Sequence, residues 1–341
     1  MTMMLGLLLA MFCAFGGAEL ARAGEAITPD LIAKAKAEGE VVWYSTLPVT
    51  EAQAWSALFT KQYGIKVTIF RSGASGMTQK LMTEIPAGRW GFDIVMNRGT
   101  NIELYKKRGW LQKLNYPERK QFIDGFIDPE DYWGTYYMQF WAISYNTTLV
   151  KPHEVPKSYE DAANPKWKGM TTFDEQDVDL YVTLLKIMGR EKGRDWLKRV
   201  VANGLRPRQG HTMEVQLVSA GEFALGLSTY ASIAEQFRAK GAPVDWVAFE
   251  PVPVNTLGFA ISAKPPHPNA ARLFVHWGLS AAGLKAMHDI SERVPARRDV
   301  PLKNKRLERM LQSKLVPVDL AIADKYAEYN QEFLSLLKGK N

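Results

Sequence analysis

Cysteine is almost missing from this sequence. Cys13 is the only one among 341 residues, and it lies in an apolar run over residues 5–17 that is followed by Ala21-Arg22-Ala23. Such a run before a small-x-small tripeptide is typical of a cleaved export signal, although no lysine or arginine precedes it here. We therefore predict a signal peptide over residues 1–23. Its removal leaves no cysteine, which excludes a disulfide-stapled fold and a catalytic thiol.

Other long apolar runs and the common nucleotide and catalytic motifs are also missing. No further segment is long and apolar enough to predict a membrane span. The glycines at positions 73 and 76 do not fit G-x-G-x-x-G, and no Gly-Lys-Ser/Thr follows them, so nucleotide binding is not supported. The sequence contains neither G-x-S-x-G nor H-E-x-x-H, and no His/Cys cluster suited to zinc. We predict a protein that is not an enzyme; a secreted hydrolase or transferase is the alternative of another class.

The composition is that of a globular protein with a moderate positive charge. Charged residues make up 23% and hydrophobic residues 46% of the chain, and its length is sufficient for two domains. The net charge of +7 favours anionic partners, but the basic residues are spread along the chain. Because no basic stripe or nucleic-acid motif is present, we predict no nucleic-acid partner.

Residues 66–84 form the most informative stretch. Residues 66–70 alternate as in a β-strand. Residues 71–76 form a turn that begins with Arg71 and continues in small residues. The apolar spacing beyond this turn predicts a helix. Ser75 is a plausible N-cap for that helix. Free N–H groups at a helix start beside an arginine form a small anion cradle. The alternative is an ordinary strand–turn–helix in which the glycines only ease the turn.

Polar residues follow three predicted strands. Strands at residues 41–44, 66–70 and 92–96 alternate with helices, which predicts a mostly parallel sheet. In such sheets ligands bind beyond the carboxyl ends of the strands. The side chains expected to meet at that edge are Ser45, Thr46, Arg71, Ser72, Asn97 and Arg98.

Several further stretches together resemble the periplasmic solute-binding proteins of ATP-driven importers, of the extracellular solute-binding family 1 type. The stretches are YNTTLV at 145–150, SYED at 158–161, NPKWKG at 164–169, GEFALG at 221–226, PNAARLF at 268–274 and VPARRDV at 294–300. Their order is collinear with the subgroup of ferric-ion, phosphonate and sugar-phosphate binders. The resemblance covers essentially the whole chain after residue 23.

The resemblance implies a two-lobe α/β fold of the type 2 periplasmic-binding-protein class, joined by two hinge-crossing strands. The crossings are expected near residues 136–143 and 250–257. Lobe one would then comprise residues 28–137 and 258–300, lobe two residues 138–257, and residues 301–341 would be C-terminal helices packed on both. The resemblance also implies a periplasmic monomer without a cofactor, which serves an inner-membrane ABC permease and its ATPase.

A metal ion is one candidate ligand. Ferric-binding relatives use two adjacent tyrosines, whereas Tyr230 stands alone in Ser228-Thr229-Tyr230-Ala231. One phenolate is a poor cage for a hard cation, so iron is kept as the alternative, with Tyr230 as the ligand in that case. Tyr136 and Tyr137 are expected to pack at the hinge approach. His211 and Glu214 are spaced three apart, as some metal ligands are, but a helix start explains them better.

We predict that the ligand is a small organic anion, such as a phosphonate, phosphate ester or carboxylate. Arginine can grip a pair of carboxylate or phosphate oxygens in a fork. Arg71 or Arg98 would supply the charge, and Gln139 and Trp141 on the first crossing strand would line the floor. The hydroxyl and backbone donors predicted for the site are Ser45, Thr46, Ser72, Gly73, Ser75, Gly76 and Thr229, together with Asn97 and Tyr230. Arg297 and Arg298 are expected on the exposed surface, and one of them could reach the cleft rim.

Overall fold

The computed structural model describes residues 27–339, so the predicted signal peptide lies outside the described residues. These residues form thirteen α-helices and ten strands. The helices are α1 (Pro29–Glu38), α2 (Val49–Tyr63), α3 (Ala74–Glu84), α4 (Gly99–Lys107), α5 (Tyr159–Ala162), α6 (Val178–Met188), α7 (Arg190–Ala202), α8 (His211–Ser219), α9 (Ala231–Ala239), α10 (Pro268–Leu279), α11 (Ala281–Ser291), α12 (Lys305–Met310) and α13 (Tyr326–Leu337). The strands are β1 (Glu40–Ser45), β2 (Lys66–Arg71), β3 (Ile94–Arg98), β4 (Leu111–Gln112), β5 (Trp133–Asn146), β6 (Thr171–Thr172), β7 (Leu225–Tyr230), β8 (Val244–Val247), β9 (Val252–Ser262) and β10 (Leu315–Pro317).

The strands run in the order β2-β1-β3-β9-β5-β7-β6. β1 pairs in parallel with β2 and β3, as predicted, but β9 is antiparallel to both β3 and β5. The prediction of a mostly parallel sheet was therefore wrong, and the sheet is mixed. The reason is that β9 returns from the far part of the chain and enters the first sheet against the direction of its neighbours.

Two long buried strands connect the two parts of the structure. Residues 133–140 of β5 pair with β9, whereas residues 141–146 pair with β7 and β8 in a second sheet. Every residue of β9 is buried, and in β5 all are buried except Tyr145. Strands buried on both faces read as nearly continuous apolar runs, as most of β5 does. We call the part built on β1–β3 lobe one and the part built on β6–β8 lobe two; their residue boundaries stay a prediction.

Lobe one is held by a cluster of aromatic rings around Trp55. Its side chain is fully buried, and its indole N–H donates to the Gly283 carbonyl at 2.9 Å. Its ring centroid lies 5.5 Å from that of Trp43, 5.2 Å from that of Phe274 and 4.5 Å from that of Trp277. Such tilted and edge-on contacts add stability beyond the burial of apolar area. The cluster packs α2 and α10 against β1.

The C-terminal segment joins both lobes. Residues 301–341 are predicted to be C-terminal helices, but they include β10, which pairs with β9, and a 3-10 helix at Leu320–Lys325. The three residues of β10 are too short to give an alternating pattern. Lys107 of α4 pairs with Asp324 at 2.7 Å, while Glu332 of α13 pairs with Arg190 of α7 at 2.8 Å.

Across residues 27–339, each helix is too short or too polar to span a bilayer.

Candidate ligand-binding cleft

A cavity of about 350 Å³ lies between the two lobes. Lobe one contributes the loops and strand ends around β1, β2 and β3, and lobe two contributes β7 and the start of α8. The predicted site residues that line this cavity are Thr46, Arg71, Gly73, Arg98, Gln139 and Tyr230. The structure thus brings six of the predicted residues to one cavity from both sides of the crossing strands.

Four other predicted residues are buried and bonded within the protein. Ser45 accepts a hydrogen bond from the Leu47 N–H at 3.1 Å. Thr229 donates to the Ala142 carbonyl at 2.8 Å. The Trp141 indole donates to Asp177 at 2.7 Å.

Asn97, the fourth of these buried residues, occupies a similar structural position. Its amide donates to the Tyr105 hydroxyl at 2.9 Å and to the Ala74 carbonyl at 3.2 Å, so it ties β3 to α3. None of the four is among the residues that line the cavity.

Ser72, Ser75 and Gly76 lie beside the cavity. A Cβ atom on Gly76, in the first turn of α3, would lie 2.6 Å from the Ser72 hydroxyl oxygen, so a larger residue there would require the Ser72 side chain to rotate away. Ser75 lines a neighbouring cavity of about 270 Å³, which shares Ala74 and Arg98 with the cleft. Arg98 therefore stands between two adjacent cavities.

The start of α3 faces the cleft, but not in the way predicted. The N-cap is Gly73 and not Ser75, and no side chain caps the helix. Gly73 lacks a hydroxyl, so the N–H groups of the first turn have no side-chain acceptor. Gly73 and Ala74 line the cavity. The arrangement leaves donor groups and the positive end of the helix dipole at the cleft.

Arg71 ends β2 beside this helix start. Its Nε donates to the Leu47 carbonyl at 3.3 Å, and its side chain makes no ion pair with any acid of residues 27–339. Arg71 is exposed and lines the cavity. The outer nitrogens of its guanidinium are therefore available to a solute.

Arg293 is a cleft residue that the sequence did not reveal. It is only 4% exposed, and its Nε and Nη2 donate to the two oxygens of Glu51 at 3.1 and 3.2 Å. Its guanidinium carbon lies 4.8 Å from the ring centroid of Tyr137. Nη1 is buried and has no hydrogen-bond partner among residues 27–339. Burial of a donor without an acceptor is costly, so an acceptor on a bound solute would stabilise this atom.

The arginines considered for the cleft rim lie elsewhere. Arg297 is buried in a polar cluster, where it pairs with Glu118 at 2.6 Å and with Asp299 at 2.7 Å. Arg298 pairs with Asp124 at 3.0 Å.

Arg98 reaches from lobe one to lobe two. Its Nη1 donates to the Gln176 carbonyl at 3.0 Å and lies 3.5 Å from Asp179 Oδ2. The Thr100 hydroxyl lies 3.4 Å from the other oxygen of Asp179. These contacts close one side of the cleft. Burial lowers the pKa of Arg98, but Tyr230 and Asp179 outweigh it and raise this pKa above its ordinary value.

His211 and Tyr230 form the opposite wall on lobe two. Their ring centroids are 3.9 Å apart, and both residues line the cavity. His211 Nδ1 lies 2.9 Å from the Ser228 carbonyl oxygen. Burial lowers the pKa of His211 to about 4, so its ring is neutral at neutral pH. Residues 27–339 contain no group of three or more His, Cys, Asp or Glu side chains arranged to hold a metal ion.

Glu214 does not join His211 at the cavity but lies behind it. Its carboxyl group accepts from the Ser228 N–H at 3.2 Å and lies 2.8 Å from the Ser228 hydroxyl. Glu214 is fully buried, and this burial raises its pKa to about 8. The side chain is therefore protonated at neutral pH.

The stability of the protein is expected to fall as the pH rises from about 4.5 to about 8, because of Glu214. The folded state holds a proton over this range that the unfolded state releases, so unfolding becomes easier by up to about 1.4 kcal/mol per pH unit. Glu214→Gln keeps the shape of the protonated form and should flatten this dependence. Urea unfolding at pH 6 and pH 9 measures it, with exposed Glu191→Gln as the control. If the free energy of unfolding changes equally between pH 6 and pH 9 in wild type and both variants, Glu214 is not the group that causes the pH dependence.

Comparison with known sequences gives one family match and several distant relatives. Residues 54–310 match the family model described as bacterial extracellular solute-binding protein. Iron uptake protein A1 of Synechocystis sp. is 27% identical over 202 residues, which cover 55% of this chain and 54% of that protein. The chain spans about half the length of the curated relatives it matches.

Comparison with solved structures gives the same architecture with different ligands. Iron-bound HitA from Pseudomonas aeruginosa is similar at a TM-score of 0.76 and 21% identity, over 86% of this chain and 99% of that chain. AfuA from Actinobacillus pleuropneumoniae, with fructose-6-phosphate bound, is similar at a TM-score of 0.77 and 18% identity, over 88% and 99% of the two chains. At such identities the likeness shows the two-lobe fold and does not select a ligand.

Proposed function

Because the chain belongs to the bacterial extracellular solute-binding family, we propose that it is the periplasmic binding component of an ABC importer and captures a small anionic solute. It would bind a phosphonate, phosphate ester or carboxylate between its lobes and deliver it to an inner-membrane permease with its ATPase. In this role it acts as a monomer, needs no cofactor and performs no catalysis. The predicted export signal is consistent with a periplasmic location.

The observation that supports an anion is that unused donors converge on one cavity. Arg71 has no acidic partner among the described residues, and Nη1 of Arg293 is buried without an acceptor. The uncapped start of α3 adds backbone N–H groups beside Arg71. Arg71, Arg293 and Gly73 at the start of α3 line the same space of about 350 Å³, which is at the small end of the range for ligand pockets. A carboxylate or phosphoryl group would satisfy them together.

A ferric ion is the second candidate, because Tyr137 and Tyr230 both line the cavity with His211 and Asp174. Tyr137, expected only to pack, therefore contributes a possible oxygen ligand. Burial opposes this role, since it raises the pKa of Tyr137 to about 12 and that of Tyr230 well above its ordinary value. Phenolates are the form that binds iron, and the guanidiniums on the same cavity repel a trivalent cation. These two facts favour the anion.

The test is native mass spectrometry of protein isolated from its host, followed by calorimetry. The titrants are methylphosphonate, glycerol 3-phosphate, succinate and ferric citrate, with citrate alone as the control for the chelator. We expect one organic anion per chain, recovered unchanged, with a Kd in the micromolar range or below. Tight ferric binding with a tyrosinate absorption band and no response to the anions would replace the anion by iron. Chemical conversion of the solute would replace the binding protein by an enzyme.

A further inference from the structure

The two walls of the cleft carry opposite charge that the protein leaves unneutralised. Most charges near the cavity are paired internally, since Arg293 binds Glu51 and Arg98 lies 3.5 Å from Asp179. Arg71 on lobe one is not paired with an acid among the described residues, as shown above. On lobe two the cavity is lined by the carboxylate of Asp174. A solute with only an anionic group would pair with Arg71 on lobe one and leave Asp174 on lobe two without a cation.

Asp174 is held in place without being neutralised. One of its oxygens accepts from the Gln176 N–H at 2.9 Å and the other from the Gly210 N–H at 3.1 Å. Within residues 27–339 its only ionisable neighbour at ion-pair distance is His211, whose Nε2 lies 3.6 Å from Asp174 Oδ2. Asp174 is only 2% exposed. A carboxylate buried to this extent is normally matched by a cation.

The tautomer of His211 follows from its partner. Nδ1 lies 2.9 Å from the carbonyl oxygen of Ser228, which can only accept, so Nδ1 carries the proton. In a neutral ring Nε2 is then a bare acceptor, and it has no hydrogen-bond partner among residues 27–339. Nε2 and Asp174 Oδ2 are therefore two acceptors that face each other across 3.6 Å. A group with several N–H donors would satisfy both.

We infer that the solute is a small zwitterion, such as an aminocarboxylate or aminophosphonate. Its anionic end binds Arg71, Arg293 and the start of α3, and its ammonium group binds Asp174 and His211 on lobe two. This inference rests on the proposed function and narrows it. Because the two ends of the solute bind different lobes, the same contacts would hold the cleft closed.

The experiment is calorimetry with matched pairs that differ only in the amino group. The pairs are glycine through 5-aminopentanoate against acetate through pentanoate, and 3-aminopropylphosphonate against propylphosphonate. We expect the best zwitterion to bind wild-type protein at least about tenfold more tightly than its counterpart, as for a partly buried ion pair. Asp174→Asn removes the negative charge and should abolish this preference. The control is Asp195→Asn, an exposed acid of α7.

The outcomes separate this inference from the proposed function. Equal binding of both members of a pair to wild-type protein, or tighter binding of the counterpart, overturns the zwitterion and leaves anion capture intact. A preference that persists in folded Asp174→Asn also overturns it. If no member of any pair binds, the zwitterion is overturned; if the anions of the first panel also fail to bind while ferric citrate does, anion capture is overturned with it. The comparison in wild-type protein does not depend on whether the variant folds.

Discussion

Arg71→Ala is expected to weaken binding of the best anion of the panel by about tenfold to hundredfold. A hydrogen bond to a charged group contributes roughly 1.5–3 kcal/mol, and about 1.4 kcal/mol corresponds to a tenfold change in affinity. Arg71 is exposed and its one internal hydrogen bond, to Leu47, is 3.3 Å long. The free energy of unfolding should therefore stay within about 0.5 kcal/mol of wild type. Calorimetry and urea unfolding on the same preparation measure both quantities.

Arg89→Ala is the matched control for Arg71→Ala. Arg89 is also an exposed arginine of lobe one, but it lies outside the cleft, so the substitution removes the same charge at a distance. Its affinity should be close to that of wild type. If both variants lose affinity equally, the effect is one of net charge, and Arg71 is not part of the site.

Trp55→Ala is expected to reduce the free energy of unfolding by about 3–5 kcal/mol, as for other large-to-small changes in a core. The substitution removes a fully buried side chain from the ring cluster and leaves the Gly283 carbonyl without its donor. The space left between α2 and α10 cannot close, because large rings surround it on several sides. Urea unfolding followed by circular dichroism gives the value.

Leu58→Ala, on the same helix, is the control for Trp55→Ala. Leu58 is 41% exposed, so its truncation removes little buried area and should cost less than about 1 kcal/mol. A loss below about 1 kcal/mol for Trp55→Ala would mean that the cluster does not hold α2 in place.

The sequence was a good guide to features that depend on neighbouring residues. The periodicity of residues 66–84 predicts a strand, a turn and a helix, and β2 and α3 occupy those positions. The predicted two-lobe α/β fold is confirmed by the structure and its neighbours. Strand ends carry polar groups to one edge of a sheet, and Thr46, Arg71 and Arg98 line the cleft accordingly.

The features that the sequence did not reveal depend on distant pairs. Arg293 becomes a cleft residue because Glu51 holds it, and these two are 242 positions apart. Nothing in the sequence near Arg293 distinguishes it from Arg297, which is also buried but pairs with other acids. Ser75 is the predicted N-cap because it has the right hydroxyl, but the cap is Gly73, two residues earlier, and the helix begins at Ala74. Cap preferences are statistical, so a glycine can be the N-cap. Here Gly73 leaves the backbone N–H groups of the first turn free to face the cavity.

The attachment of the C-terminal segment to both lobes has a consequence for how affinity can change. The 3-10 helix at Leu320–Lys325 is paired with α4 through Asp324, and α13 is paired with α7 through Glu332. A cleft that opens must stretch or release one of these attachments. Surface ion pairs contribute at most about 1 kcal/mol each, so substitutions there would shift the balance between open and closed forms in small steps. Affinity could thus be tuned, by drift or by design, at positions that never meet the solute.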